Sequence, residues 1–299
     1  TLDAGDADPI SIGSVAGVET LTITDSSTTA VAGATSATAV TITDTTSSVT
    51  FNGPVTATNL NAAGAQAYAV TMTGGDTITS AVTFTNTGGV TLGDATSDIT
   101  TFLGGLTSTA STTTTEGTIR VSGGNSLTIG DVTLAAATKY ETNLSAPGGG
   151  SLTVGNVTGA GNALEINAGT AGTATITSMD EVLFTLANSG NTTVTAAITD
   201  ATSTLALLDT TGVVTLAGNV TALSLTTTSE GYSLVLGGTN NIDGTTTLNN
   251  VGGVTINGTT IFDDGLTSTA SATTLGADVT ANNGSMSLGD VTLTAGVQL

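Results

Sequence analysis

The sequence predicts an all-β fold, a parallel β-solenoid (β-helix) whose coils are each about 20 residues long. Three observations predict it. Short apolar–x–apolar triplets recur at a nearly constant spacing, the chain repeats itself over a longer period, and its apolar residues are small, with 38% hydrophobic but only 3% aromatic residues. A narrow stacked core needs many small or β-branched side chains and few large ones, which is what this composition supplies.

The triplets set the coil length. In the first half of the chain they begin 21 and 20 residues apart, at Val49, Val70 and Val90. In the second half they begin 20 and 20 residues apart, at Val214, Leu234 and Val254. Further triplets at Val40 and Val82 lie about half-way between. The alternation of apolar residues, usually with Thr, is that of a half-buried strand, and the Gly, Asn, Asp and Ser between triplets favour turns. We expect two or three short strands per coil and coils about 4.8 Å apart.

A longer repeat divides the chain into two copies, residues 1–151 and 152–299. Tyr68 corresponds to Tyr232, and the GGVT at Gly88 corresponds to the GGVT at Gly252, both 164 residues later. The offset between copies rises from 143 residues near their starts to 165 further on, so the second copy gains 22 residues, at about 167–189. Because a solenoid absorbs whole coils without disturbing distant ones, we expect one extra coil there, in one continuous rod.

The alternative architecture is a tandem of β-sandwich domains, each of about 80 residues. Strand spacing alone does not exclude it. A sandwich usually fills its centre with large aromatic residues, whereas this chain has no Trp and three Tyr. An insertion of one coil length would also have to be a large loop in a sandwich. Both points favour the solenoid.

The net charge of the chain limits the classes of partner that we expect. The chain has two cationic residues, Arg120 and Lys139, against 23 acidic ones, and its net charge is -21. Nucleic-acid binding and attraction to an anionic membrane surface are therefore not expected. No apolar run approaches the ~20 residues that span a bilayer, so we expect no membrane insertion. No signal peptide opens the chain, and we expect Thr1 to follow a cut within a mature region.

The residue types argue against an enzyme. The chain has no His and no Cys, which removes histidine-based triads, thiolate nucleophiles and the usual zinc sites. Solenoid enzymes that act on polysaccharides use clustered carboxylates, and the acidic residues here are mostly single ones in turns. An active site would need such carboxylates beside Arg120 or Lys139. We expect no catalytic residues and no required cofactor.

Calcium is the one ligand that the acidic residues suggest. They are grouped at three places, namely Asp3, Asp6 and Asp8, then Asp94 and Asp98, then Asp263 and Asp264. Carboxylates and turn carbonyls are the ligands that Ca²⁺ prefers. The alternative, which the composition favours, is that these are solvated turn residues.

Pairs of Thr two residues apart suggest a third kind of surface, a flat hydroxyl array that binds ice. They occur at Thr22 and Thr24, Thr41 and Thr43, Thr71 and Thr73, and Thr83 and Thr85. Such an array needs strict registry between coils, and the spacing of these pairs varies. The alternative is that Thr simply favours strands and pairs well across them.

Four segments carry a resemblance to known proteins: VTFNGPVTATNL, TNTGGVTLGDATSD, TTFLGGLTSTAS and SLTIGDVTL. They resemble the repeats of very large bacterial surface proteins and, more distantly, adhesins of the filamentous-haemagglutinin type, whose shaft is a parallel β-helix. The resemblance covers nearly the whole chain. It implies a bacterial extracellular or cell-surface rod, such as an adhesin stalk, a sheath, a surface-layer component or a filament subunit, and it brings no active-site residues.

These observations together predict an extracellular structural protein, a stiff rod that forms part of a surface fibre, sheath or filament. Its expected partner is itself, end to end through unpaired strand edges or laterally through cations between acidic faces. The alternative is an adhesin stalk or binding module that contacts carbohydrate or a host protein. A stripe of exposed Tyr and Phe would indicate the alternative, and a surface of Thr and Asp would not.

Overall fold

The fold is all-β. A computed structural model describes residues 1–62, 64, 66–145, 148–294 and 296–298, and within these residues every helix or strand is a strand. No helix long and apolar enough to cross a membrane occurs in the same residues. The chain divides into two compact units, Thr1–Ala146 with Gly150–Gly155, and Pro147–Gly149 with Asn156–Leu299. In each unit the strands of successive coils pair in parallel, which confirms the β-solenoid and rejects the tandem sandwiches.

The first unit contains strands β1 to β15 and the start of β16. Their bounds are β1 Leu2–Gly5, β2 Ile10–Ile12, β3 Val15–Val31, β4 Thr35–Ile42, β5 Thr45–Phe51, β6 Val55–Ala62, β7 Ala69–Met72, β8 Thr77–Ile78, β9 Val82–Phe84, β10 Val90–Leu92, β11 Ile99–Phe102, β12 Leu106–Ser108, β13 Thr113–Ser122, β14 Leu127–Ile129, β15 Val132–Leu144 and β16 Ser151–Thr158.

The second unit contains the remaining strands. Their bounds are β17 Ala163–Asn167, β18 Thr173–Asp180, β19 Leu183–Ser189, β20 Asn191–Val194, β21 Ile198–Thr210, β22 Val213–Leu216, β23 Val220–Thr227, β24 Ser233–Leu236, β25 Asn240–Ile242, β26 Thr246–Thr247, β27 Val254–Ile256, β28 Thr260–Phe262, β29 Leu266–Ser268, β30 Thr273–Leu275, β31 Val279–Ala281, β32 Met286–Leu288 and β33 Val291–Leu293.

Three parallel ladders run through the first unit. The first ladder contains the triplet strands β5, β7 and β10, in which Val49, Val70 and Val90 are direct neighbours, and it continues into the starts of β13 and β15. The second ladder joins β4, β6, β8 and β11. The third joins β9, β12 and β14. From β8 to β15 each coil adds a strand, or part of a longer strand, to each ladder, which is the upper end of the two or three predicted. The coils of β4 with β5 and of β6 with β7 contain two strands.

The second unit has the same three ladders. Val214, Leu234 and Val254 are neighbours in β22, β24 and β27, and this first ladder continues into β30 and β33. The second ladder joins β23, β25, β28 and β31, and the third joins β26, β29 and β32. Residues 167–189 contain β18 and β19, and Leu164 stacks on Phe184 one coil later. That this coil is an insertion relative to the first copy stays a prediction.

Alternation along each strand builds the core. In the first ladder the first and third residues of every triplet point inward and the middle Thr points outward, so Val49 and Phe51 are fully buried while Thr50 is half-buried. The same inward position is filled by Val70 and Val90 on the next coils. Stacking like residues in register buries a continuous apolar column. Removing this surface from water stabilises the fold by about 25 cal/mol per Å² of apolar area.

An Asn-x-Gly-Gly corner explains two of the repeats in the sequence. The Nδ2 group of Asn86 donates to the carbonyls of Tyr68 (3.0 Å) and Gly89 (2.8 Å). Asn250 repeats both bonds, to Tyr232 (3.2 Å) and Gly253 (2.8 Å). Gly89 and Gly253 have φ values of 110° and 107°, a conformation that favours glycine. The buried Asn therefore ties each corner to the tyrosine of the preceding coil.

Candidate functional site

Two ranks of Thr run along the outward surface of the first unit. One rank in the first unit runs over five successive coils, at Thr50, Thr71, Thr91, Thr114 and Thr133. A second rank runs over four coils, at Thr83, Thr107, Thr128 and Thr153. Along these two ranks the outward groups are hydroxyls and methyls, which offer hydrogen bonding without charge.

All the aromatic side chains lie inside. The three tyrosines and five phenylalanines of the chain are each at most 1% exposed. Tyr232 donates its hydroxyl to the carbonyl of Leu207 at 3.0 Å, and the hydroxyl of Tyr140 is 3.0 Å from Thr115 Oγ1. Burial raises the pKa of Tyr68 and Tyr232 to about 12. The predicted marker of a binding surface, a stripe of exposed Tyr and Phe, is therefore not what these residues form.

The two cations lie together on one face of adjacent coils. Arg120 on β13 is the register neighbour of Glu141 on β15, and its Nε donates to Thr101 Oγ1 at 3.0 Å. Lys139 Nζ is 2.8 Å from Glu141 Oε1. These contacts place the carboxylate of Glu141 beside both cations. A catalytic pair of carboxylates beside Arg120 or Lys139 is not formed by these contacts.

The first acidic group lies on the opening coils. Asp3, Asp6 and Asp8 are exposed, and Asp3 is the register neighbour of Asp25 on β3. Partial burial raises the pKa of Asp25, and the hydrogen bond that its protonated carboxyl donates to Asp6 and the negative charges of Asp6, Asp3 and Asp44 raise it further. Asp8 closes the adjoining turn through its backbone. The negative charges around Asp25 therefore favour its protonated form or a counter-ion beside it.

The second and third acidic groups hold their own turns. Asp98 Oδ2 accepts from the backbone N–H groups of Asp94 and Ala95, both at 3.0 Å, as an Asx-type cap. Asp263 accepts from the side chain of Asn282, one coil later, and the exposed Asp264 uses its carbonyl to accept from Thr245 Oγ1 at 3.3 Å.

No three acidic side chains of the described residues converge closely enough to hold a metal ion. Asp6 and Asp8 lie in one turn, Asp94 and Asp98 in another, and Asp263 and Asp264 bond to neighbouring coils; calcium binding at any of the predicted residues stays a prediction.

In each Thr pair that the sequence singles out, the first Thr lies on a ladder strand, and the second follows at the corner or, for Thr24, further along the same strand. The second hydroxyl of each pair donates to a backbone carbonyl about one coil earlier, at distances of 2.8 to 3.4 Å: Thr24 to Leu2, Thr43 to Ile23, Thr73 to Phe51 and Thr85 to Ala62. Thr22 and Thr41 are in register on adjacent coils, with Asn61 next. These four pairs therefore do not form one array.

A different set of hydroxyls is in register. On the second ladder of the first unit, Ser36, Thr56 and Thr77 are stacked neighbours. Two residues further along the same strands come Thr38, Thr58 and Thr79, and all six side chains are exposed. Five of them line a groove of about 440 Å³ whose wall includes Val18 and Glu19. Sequence reasoning missed this hydroxyl array, because S-A-T, T-A-T and T-I-T lack the apolar triplet that marked the strands.

Asp76 is the other residue that sequence reasoning missed. It follows two glycines and reads as a turn residue, yet its side chain is fully buried on the second ladder. Its Oδ1 accepts from Val55 N–H at 2.8 Å, and Thr100 Oγ1 lies 3.4 Å from its Oδ2. The signal that could have found it is Asn240, which lies 164 residues later, the same offset as between Tyr68 and Tyr232.

Comparison with known proteins finds no match for this chain among protein families, curated proteins or solved structures. The functional proposal for this chain therefore depends on its own sequence and geometry.

Proposed function

We propose that this chain is an extracellular structural protein, a stiff solenoid segment of a bacterial surface fibre, sheath or filament that assembles with copies of itself. The single observation that carries the proposal is the stacking of like residues in three parallel ladders through successive coils of each unit. Such ladders resist extension because every coil is held by backbone hydrogen bonds to its neighbours.

Three properties of the chain support this proposal. The net charge of -21 keeps an exported chain soluble. With two cationic residues, both on strands, the chain presents few sites to proteases that cut after Lys or Arg. The repeat segments resemble those of bacterial surface proteins. The bacterial cell surface is the location that we propose on these grounds.

The alternative, an adhesin or other binding module for carbohydrate or a host protein, is less well supported. Sugar-binding surfaces commonly use aromatic platforms. The aromatic residues of this chain are at most 1% exposed and serve the core. The groove on the second ladder offers hydroxyls and the carboxylate of Glu19 instead. A structural role does not require exposed aromatic side chains, so the observed surface fits it better.

Pulling the chain by its ends in a single-molecule force experiment tests the mechanical role. A solenoid coil of about 20 residues releases roughly 70 Å of contour when it unravels, at about 3.5 Å per residue. We expect a series of force peaks separated by increments of this size. Extension without measurable force peaks would contradict a mechanical function, because ladders that open freely cannot carry tension.

A second candidate function is ice binding, which the hydroxyl array of Ser36, Thr38, Thr56, Thr58, Thr77 and Thr79 favours. Regular outward hydroxyls and methyls on a flat parallel sheet are the kind of surface that orders water. We expect Thr58→Tyr, at the centre of the array, to abolish partitioning into growing ice, and Thr128→Tyr, on the third ladder, to preserve it. Failure of the unsubstituted protein to partition into ice eliminates this candidate.

A further inference from the structure

Asp76 and Asn240 occupy equivalent places in the two units. Asp76 lies between Val55 and Thr100 on the second ladder of the first unit, as the register of the adjoining residues shows. Asn240 lies between Val220 and Thr260 on the second ladder of the second unit. Both side chains are at most 2% exposed.

The hydrogen bonds that join the two residues to the adjoining coils correspond, and Asn240 makes one more, from Nδ2 to the Gly238 carbonyl at 2.8 Å. Val55 N–H donates to Asp76 Oδ1 at 2.8 Å, and Val220 N–H donates to Asn240 Oδ1 at 3.1 Å. The second polar atom of each faces a threonine hydroxyl of the next coil: Asp76 Oδ2 is 3.4 Å from Thr100 Oγ1, and Asn240 Nδ2 donates to Thr260 Oγ1 at 2.9 Å.

The amide shows which protonation state the site is built for. At Asn240 the second atom is a donor, to Gly238 within its own corner and to Thr260, and the neutral group satisfies its neighbours on both adjoining coils. A protonated Asp76 reproduces that arrangement, with Oδ2–H donating to Thr100 Oγ1. An ionised Asp76 instead places an uncompensated negative charge in the core, where desolvation is costly.

The surroundings supply no positive charge. Strands β6, β8 and β11, which pack against Asp76, carry no ionisable residue. Arg120 is on β13, one coil beyond Thr100, and its Nε faces outward to Thr101. The charge that acts on Asp76 is that of Asp98, which is also negative. Burial raises the pKa of the Asp76 carboxyl to about 6; the bonds from Val55 and Thr100 lower it, and the charge of Asp98 raises it.

We propose that Asp76 is a proton-sensitive position that makes the first unit more stable in mildly acidic solution than at neutral pH. A carboxyl with a raised pKa in the folded state binds its proton more tightly there than in the unfolded chain. Its effect on stability is therefore constant below the ordinary pKa of 3.8, becomes unfavourable as pH rises to about 6, and is constant again above that. Asn240 gives the second unit the same structure without this dependence.

The test compares the unfolding of the unsubstituted protein with that of Asp76→Asn and Asn240→Asp between pH 4 and pH 8. Relative to Asp76→Asn, the unfolding constant of the first unit in the unsubstituted protein should rise roughly 100-fold as pH increases through this window. The estimate is a tenfold change for each unit by which the pKa of the folded state exceeds that of the unfolded chain. Asn240→Asp should introduce a similar rise in the second unit. Asp264→Asn, which removes one exposed carboxylate, controls for the change of net charge.

Three results would overturn the proposal. One is a constant difference in stability between Asp76→Asn and the unsubstituted protein at every pH. Another is an Asn240→Asp variant without a new pH-dependent loss. The third is an Asp76→Asn variant that does not fold, because the proposal requires an amide to fit at this position. The carboxyl carbon of Asp76 followed by NMR gives an independent readout, and its midpoint should lie near pH 6.

Discussion

Buried hydroxyl pairs replace apolar contacts at several points in each unit, and one such pair recurs in both units. The inward column of the first ladder runs Val70, Val90, Thr113 and Val132, so one Thr interrupts a series of valines. Thr113 Oγ1 is 2.8 Å from Ser108 Oγ, and both residues are fully buried. Ser268 and Thr273 form the same pair in the second unit at 2.9 Å. In each pair, the two hydroxyls are hydrogen-bond partners of each other across the corner.

This pairing predicts strong coupling between Ser108 and Thr113. Thr113→Val should destabilise the first unit by about 1–3 kcal/mol, because it leaves the Ser108 hydroxyl buried without a partner. The double variant Ser108→Ala with Thr113→Val removes both hydroxyls and should be less destabilising than the sum of the single variants. Denaturant unfolding of the four proteins measures the coupling. Additive effects would show that the two hydroxyls do not depend on each other.

At the residue scale, the sequence predicted roles well where a position repeats and poorly where a polar residue is buried. Tyr68 and Tyr232 were recognisable as equivalent from their spacing, and both are core residues. Asp76 was not recognisable, since G-G-D-T reads as a solvated turn. Burial of a polar group depends on its neighbours one coil away, and local sequence does not contain them.

Glycine ranks shape the coil corners at the scale of the element. Gly13, Gly33 and Gly53 follow one another at one corner of the first unit, and Gly33 N–H donates to the Gly13 carbonyl at 2.5 Å. A Cβ added to Gly53 would lie 2.5 Å from the carbonyl carbon of Gly33 and 2.7 Å from Ala34 N. The backbones of successive coils therefore approach so closely at this corner that a side chain does not fit between them.

Two alanine substitutions test the glycine rank. Gly53→Ala should destabilise the first unit by about 1–3 kcal/mol, as an overpacked site that must displace backbone. Gly13→Ala is the matched control, because a Cβ there meets nothing within 4 Å, and its effect should stay within roughly 0.5 kcal/mol. Thermal or denaturant unfolding measures both. Equal effects would mean that close approach does not determine the choice of glycine.

Strands were the most predictable elements. The triplets at Val49, Val70 and Val90 fall on β5, β7 and β10 and share one ladder, because a period of two with a fixed coil length leaves a single way to stack them. The lengths of β13 and β15, with 10 and 13 residues, were not predictable. Both strands belong to two ladders. AAAT gave no turn signal where β15 changes ladder, and TEGT in β13 offered a single glycine, Gly117, instead of a cluster of turn residues.

Charge sets the conditions for assembly at the scale of the whole molecule. A net charge of -21 with two cations makes copies of the chain repel one another at low ionic strength. Salt at physiological concentration screens exposed charges over about 8 Å, and divalent cations additionally bridge carboxylates. Lateral contact between copies should therefore depend on such cations, whereas contact through unpaired strand edges should depend on backbone hydrogen bonds and be insensitive to them.

Negative-stain electron microscopy of the purified chain, with calcium and then with excess chelator, tests the proposed role most directly. We expect filaments or bundles of copies. The bundles should disperse in chelator, and any end-to-end filaments should persist. Bundles that are unchanged in chelator would remove the cation bridge and leave the structural role in place. Single dispersed particles at every protein, salt and calcium concentration would contradict the proposal that this solenoid is a self-assembling structural protein.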